Sequence, residues 1–180
     1  MLRFKIFSIC LAASLLLSGC ATVFLNDSND KSLSGLGEPR TLEMQMQITR
    51  GDTSFAMDLV ADVHNQGLTV IGSAFGARIF TLSFDGNLIS EGVGLGLPIT
   101  VSNRLIVDDV ILTLATLKSL EVGLPKGCAI SVDGDWRKIY CNEQLIVKIK
   151  HQKMADKNEL VSIERLQPEY KVNFVISEAK

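Results

Sequence analysis

From Thr41 onward the chain alternates between apolar and polar residues. Leu42, Met44, Met46 and Ile48 are separated by Glu43, Gln45 and Gln47. After a turn at Gly51-Asp52, Phe55, Met57, Leu59, Ala61 and Val63 repeat the pattern against Ser54, Asp58 and Asp62. Successive side chains of a strand point to opposite faces, so this spacing predicts strands with one apolar face. Asn65-Gln66-Gly67 turns the chain into Leu68–Ile71, and Phe80, Leu82 and Phe84 follow in a further strand. Asp85-Gly86 then predicts a hairpin into Leu88–Glu91. The alternation resumes over Ala129–Val132, Trp136–Cys141, Gln144–Gln152, Leu160–Leu166 and Tyr170–Ile176, with Asp133-Gly134 as another turn. Between the two sets, Val107, Val110, Ile111, Leu114, Leu117 and Leu120 fall at helical spacing. Ser102 or Asn103 would cap this helix, and Gly123 with Pro125 would end it. The expected class is α+β: a curved antiparallel sheet with one helix over part of its concave face.

Residues 1–40 break the rule. A basic segment (Arg3, Lys5) precedes an apolar run from Ile6 to Leu17, too short for a spanning helix of about 20 residues. Its length and charge order are those of a secretory signal peptide. The run ends in Leu17-Ser18-Gly19-Cys20, which resembles the bacterial lipobox. That resemblance implies cleavage before Cys20, acylation of Cys20, and attachment by several acyl chains, which hold far longer than one. Ala21 follows where inner-membrane lipoproteins usually carry Asp, so the resemblance implies the outer membrane, facing the periplasm. The domain division is therefore residues 1–19 as signal peptide, 20–40 as lipidated N-terminus and tether, and 41–180 as the folded domain. The tether reading rests on the Asn, Asp, Ser and Gly richness of residues 21–40.

Removal of residues 1–19 leaves 161 of 180, enough for one sizeable core, and takes the formal charge from −2 to −4. No basic patch is available to follow phosphates, so nucleic acid is not an expected partner. With Cys20 acylated and Cys10 removed, Cys128 and Cys141 remain as an even pair in an oxidising compartment. A disulfide is expected; two separately buried thiols are the alternative. Their spacing has no matching histidines for a metal site, and no cofactor is expected.

Catalytic chemistry finds little support. His64 and His151 read as lone histidines in exposed or hydrogen-bonded structural roles. Asp108-Asp109 suits a helix-dipole role near the positive end of the helix. Gly92-Val93-Gly94-Leu95-Gly96 lacks the lysine of a phosphate loop and follows a strand of a meander. No Gly-x-Ser-x-Gly elbow occurs, and an enzyme is not expected.

A lipidated cysteine, a polar tether, alternating strands and an apolar helix after an Asp pair occur in the order of LolB, the outer-membrane receptor for lipoproteins delivered by LolA. The chain is more similar still to a family of uncharacterised LolB-like lipoproteins often encoded beside aryl polyene pigment genes. Its marks are Ser73-Ala74-Phe75-Gly76-Ala77-Arg78-Ile79-Phe80 and then Phe84-Asp85-Gly86. The resemblance implies an incomplete β-barrel with an apolar concave cavity for acyl chains, lined by Met44, Met46, Phe55, Met57, Leu59, Phe80, Leu82, Phe84, Ile111 and Leu114. Val107–Glu121 would be its lid. A solid core made by the same residues is the alternative. Phe75 takes the place of LolB's exposed apolar tip residue, with Ala74 where LolB has proline; it either meets membrane or cargo or folds back on the sheet. The expected function is non-catalytic binding or transfer of a lipid or acylated molecule by a monomer, with a periplasmic carrier or envelope protein as partner. The alternative is a structural or assembly lipoprotein that binds a protein of an envelope biosynthesis system and has no cavity.

Overall fold

The computed structural model describes residues 34–86, 89–92, 101–155 and 157–178. The signal segment, Cys20, most of the tether, Leu88 and the later glycines of Gly92–Gly96 lie outside the described residues. A short 3-10 turn, Ser34–Leu36, leads into strands β1 (Arg40–Arg50), β2 (Thr53–His64), β3 (Gly67–Ala74), β4 (Ala77–Phe84) and β5 (Ile89–Glu91). Helices α1 (Asn103–Leu114) and α2 (Leu117–Gly123) follow, then β6 (Cys128–Asp133), β7 (Trp136–Cys141), β8 (Gln144–Lys153), β9 (Glu159–Leu166) and β10 (Glu169–Glu178).

Among the described residues the strands form one ten-stranded sheet in the order β5-β4-β3-β2-β1-β10-β9-β8-β7-β6. The first strand is the hub. It pairs antiparallel with β2, Met46 opposite Met57, and with β10, Met46 opposite Phe174. Each wing then meanders outward through hairpins, so the chain's two halves are joined along β1 and β10. The sheet is not closed: β5 and β6 end the order at opposite edges.

The alternation works as its period requires. In β1 and β2 the apolar set is buried and the polar set exposed, residue by residue. The buried face carries both helices and forms one contiguous apolar core from Leu36 to Ile176. Gly72 has a packing role in it: a Cβ there would sit 2.6 Å from the ring of Phe80, so glycine lets that ring lie against the neighbouring strand's backbone.

Three expectations need correction. The single helix is two, broken at Ala115-Thr116, both in extended conformation. Thr116 causes the restart, because its Oγ1 accepts a hydrogen bond from the Ser119 amide at 3.2 Å and caps α2. Ser102 does the same for α1 through the Leu105 amide. The tether ends earlier than residue 40: Gly35 and Leu36 are buried, with Leu36 only 1% exposed, and Arg40 already belongs to β1. A leucine among small polar residues has no periodicity of its own, but burial of its side chain fixes the turn. Finally, Asp108 and Asp109 are not dipole partners in the first turn of α1. They lie in its middle, and both are buried.

Candidate functional site

The residues expected to line a cavity share the helix-bearing face. Met44, Met46, Met57, Leu59, Phe80, Leu82, Phe84 and Ile111 are buried, and Phe55 and Leu114 are half-buried against them. Leu82 is 0% exposed, Leu59 1% and Phe84 2%. Surface bordering a water-sized space would count as exposed, so these three side chains are packed by their neighbours. The helices contribute unequally to that packing. Eight residues of α1 are buried, whereas α2 buries Leu120 and Gly123 and exposes Val122.

A polar cluster fixes α1 to this apolar face. Asp109 accepts hydrogen bonds from Arg165 Nε of β9 and from Tyr170 Oη of β10, both at 2.6 Å. Arg165 and Tyr170 are direct partners across the β9–β10 hairpin, so the sheet register holds both donors toward the helix. One turn earlier, Arg104 Nε donates to Asp108 at 3.1 Å, and its guanidinium lies 5.3 Å from the Phe84 ring centre. Burial pushes the Asp108 carboxyl up to about 7, against the opposing pull of Arg104 and Arg165. It also pushes Asp109 upward, and Arg165 and Tyr170 offset part of that. Burial works against the charge on Arg165 as well, but its anionic neighbours, Asp109 above all, outweigh it. For Tyr170, burial and then Asp109 raise the phenol. Nothing in the sequence pattern joined these residues, because a strand arginine and a strand tyrosine 56 and 61 positions away carry no local signal.

Phe75 does not fold back. It stands 98% exposed at the tip of the β3–β4 hairpin, with φ of 53° followed by 77° at Gly76. Positive φ at both central positions marks a type I′ turn, whose first position favours Asn, Asp or Gly, so a phenylalanine there is unusual. Beside it runs an open trough of about 520 Å³, lined by Phe75, Gln45, Gln47, Asp58, Leu160 and Asn173 among others. Gln45, Gln47, Asp58 and Asn173 alternate with core residues, which puts the trough on the face opposite the helices.

Cys128 and Cys141 are direct partners across β6–β7 and form a disulfide. His64 is exposed at the end of β2. His151 is hydrogen-bonded: its Nδ1 lies 2.7 Å from Glu159 Oε1 and its Nε2 lies 3.4 Å from Arg137 Nη1. Among the described residues no group of three His, Cys, Asp or Glu side chains is placed to hold a metal. No described helix is long and apolar enough to cross a membrane.

An open antiparallel sheet with two short helices across one face defines the class of the domain. Residues 41–178 match the family described as "Protein of unknown function (DUF3261)", and the chain belongs to that family. No curated protein matches it. Among solved structures it is similar to a DUF1329 family protein from Desulfovibrio piger ATCC 29098, at 11% identity and a TM-score of 0.40. That similarity covers 82% of this chain and 89% of the other.

Proposed function

We propose that this is a non-catalytic, LolB-like lipoprotein, anchored through Cys20 to the periplasmic side of the outer membrane. Its task is to bind an acylated or lipid-like molecule against the helix-bearing face and pass it to or from the membrane. The observation that carries this reading is one of coverage. An apolar face spanning both wings of a ten-stranded sheet is covered by two short helices, and a phenylalanine stands in water at a hairpin tip. A large exposed aromatic is disfavoured in water and gains on meeting lipid or protein.

Entry of an acyl chain then requires displacement, not a standing void. The first helix is held by Asp109, Arg165 and Tyr170, while the shallowly buried α2 lies beyond an extended break, so α2 is the movable part. Met44, Met46 and Met57 are buried on the same face of the sheet, and methionine adapts to chains of varied shape. Mass spectrometry of protein purified from native membranes tests this directly. A diacylated or triacylated Cys20 and a stoichiometric acyl-bearing ligand are expected. Protein that carries no such ligand and does not displace a fluorescent fatty acid overturns the reading.

The tight packing around Leu59, Leu82 and Phe84 favours a second reading, a structural or assembly lipoprotein that engages an envelope protein without a lipid cavity. Under it, crosslinking from position 75 captures a protein and the interior takes up no lipid.

A further inference from the structure

Two arginines reach the helix-bearing face from the C-terminal wing, and only one is neutralised. Arg165 has Asp109. Arg137, on β7, is half-buried, and among the described residues no carboxylate comes within 4.0 Å of it. Its Nη1 donates to the Ala115 carbonyl and to His151 Nε2, both at 3.4 Å, which is long for such bonds. Because Arg137 is always a donor, His151 Nε2 accepts, and the imidazole proton sits on Nδ1 and points to Glu159 Oε1 at 2.7 Å. Glu159 is thus occupied by His151, and it faces Lys153 in the β8–β9 register. Arg137 Nε and Nη2 have no protein partner among the described residues, and neither is sealed from water.

The residues that flank Arg137 across the sheet are apolar. In register, Arg137 lies between Val132, which is 58% exposed, and Ile149, which is fully buried. It also sits at the break between α1 and α2, where its Nη1 touches the Ala115 carbonyl. A planar fork with free donors beside an open apolar edge matches an oxyanion that carries a hydrocarbon tail.

We infer that Arg137, oriented by His151 and Glu159, binds the acidic head, phosphate or carboxylate, of an amphiphile whose tail enters beside β6 and beneath α2. The tail's place rests on the acyl-binding reading above; the anion site does not.

The test compares a fatty acid and a lysophosphatidic acid with the uncharged monoacylglycerol of equal chain length, using protein stripped of ligand. Wild type should bind the two anionic probes about tenfold or more tightly than the neutral one. Arg137→Gln should erase that preference and leave the monoacylglycerol unchanged, and Arg137→Lys should keep part of it. Equal affinity for charged and neutral probes in wild type, or an unaltered preference in Arg137→Gln, overturns the proposal. If no amphiphile binds, inorganic phosphate decides. A phosphate-dependent shift of the His151 ring signals that is lost in Arg137→Gln keeps the anion site and sinks the acyl reading. No shift sinks both. Circular dichroism of each variant separates loss of binding from loss of fold.

Discussion

Two places depart from the polarity of their surroundings, in opposite senses. At Asp109, Arg165 and Tyr170, charge is buried in an apolar face; at Phe75, an aromatic ring is set out in water beside a polar one. The first anomaly is answered within the chain, since Asp109 and Tyr170 both find partners there and Arg165 holds its carboxylate at 2.6 Å. The second has no answer among the described residues at 98% exposure, and it occupies a backbone conformation that costs a non-glycine residue about 1 kcal/mol. A buried ion pair adds little net stability over apolar packing, so what the inner cluster supplies is position: it sets α1 at one place on the sheet. The tip supplies neither stability nor position. Under the proposed reading its ring meets lipid or protein outside the domain.

The largest effect should come from dividing the inner cluster. Arg165→Ala leaves Asp109 buried with only Tyr170 as donor and should cost about 3–5 kcal/mol in urea unfolding. The double change Asp109→Leu with Arg165→Met should cost far less than the two single changes together, because no charge is then left unpaired. A loss within 0.5 kcal/mol for Arg165→Ala would remove the inner half of the comparison.

Next comes the disulfide. It ties the edge strand β6 to β7 at directly paired positions, and it closes a loop of 13 residues. Cys128→Ser with Cys141→Ser should lower stability by about 3 kcal/mol from lost loop closure. Arg137→Gln, by contrast, should stay near wild type.

A smaller effect, read as a slope, follows from Asp108. Its carboxyl is raised in the folded state from an ordinary 3.8 to about 7, so the folded chain holds a proton that the unfolded chain releases. The stability this contributes is complete below about 4 and is lost as pH rises through about 7. Unfolding free energy should therefore fall by on the order of 1 kcal/mol per pH unit across that window. Asp108→Asn should reduce the slope, leaving the part that Asp109, also raised by burial, contributes with the same sign; a slope unchanged in this variant would exclude Asp108 as a source.

The strands were legible because period-two alternation reports which face is buried; β1 has that pattern without interruption, and β2 and β10 depart from it only at Ala56, Val60 and Val175. The break at Ala115-Thr116 was not, since Leu114 and Leu117 keep helical spacing across it and the stop is made by one threonine cap. Leu36 gave no signal because an isolated apolar residue has no period. The inner cluster was also hidden. Asp108 and Asp109 stand out as a pair that local rules assign to the helix dipole, while Asp109's partners Arg165 and Tyr170 meet it only through strand register. Phe75 was the reverse case: its type and its glycine neighbour marked the place, and only coordinates give its 98% exposure.

The smallest effect on stability should carry the most information. Phe75→Asn places a favoured residue at the first position of a type I′ turn and removes no internal contact of consequence. It should raise stability by about 0.5–1 kcal/mol, opposite in sign to every change above. Burying one phenylalanine in a bilayer contributes about 2 kcal/mol, so the same variant should bind vesicles roughly thirtyfold less tightly. Both quantities need a Cys20→Ser background, in which the lipid anchor cannot mask the contribution of the tip. Phe75→Trp in that background should retain vesicle binding and the wild-type stability. A single substitution that strengthens the fold while weakening the membrane contact would establish that the ring is kept for an external surface. If Phe75→Asn instead loses more than 1 kcal/mol, the ring packs on its own sheet in solution, and the contrast between the paired carboxylate inside and the exposed tip disappears.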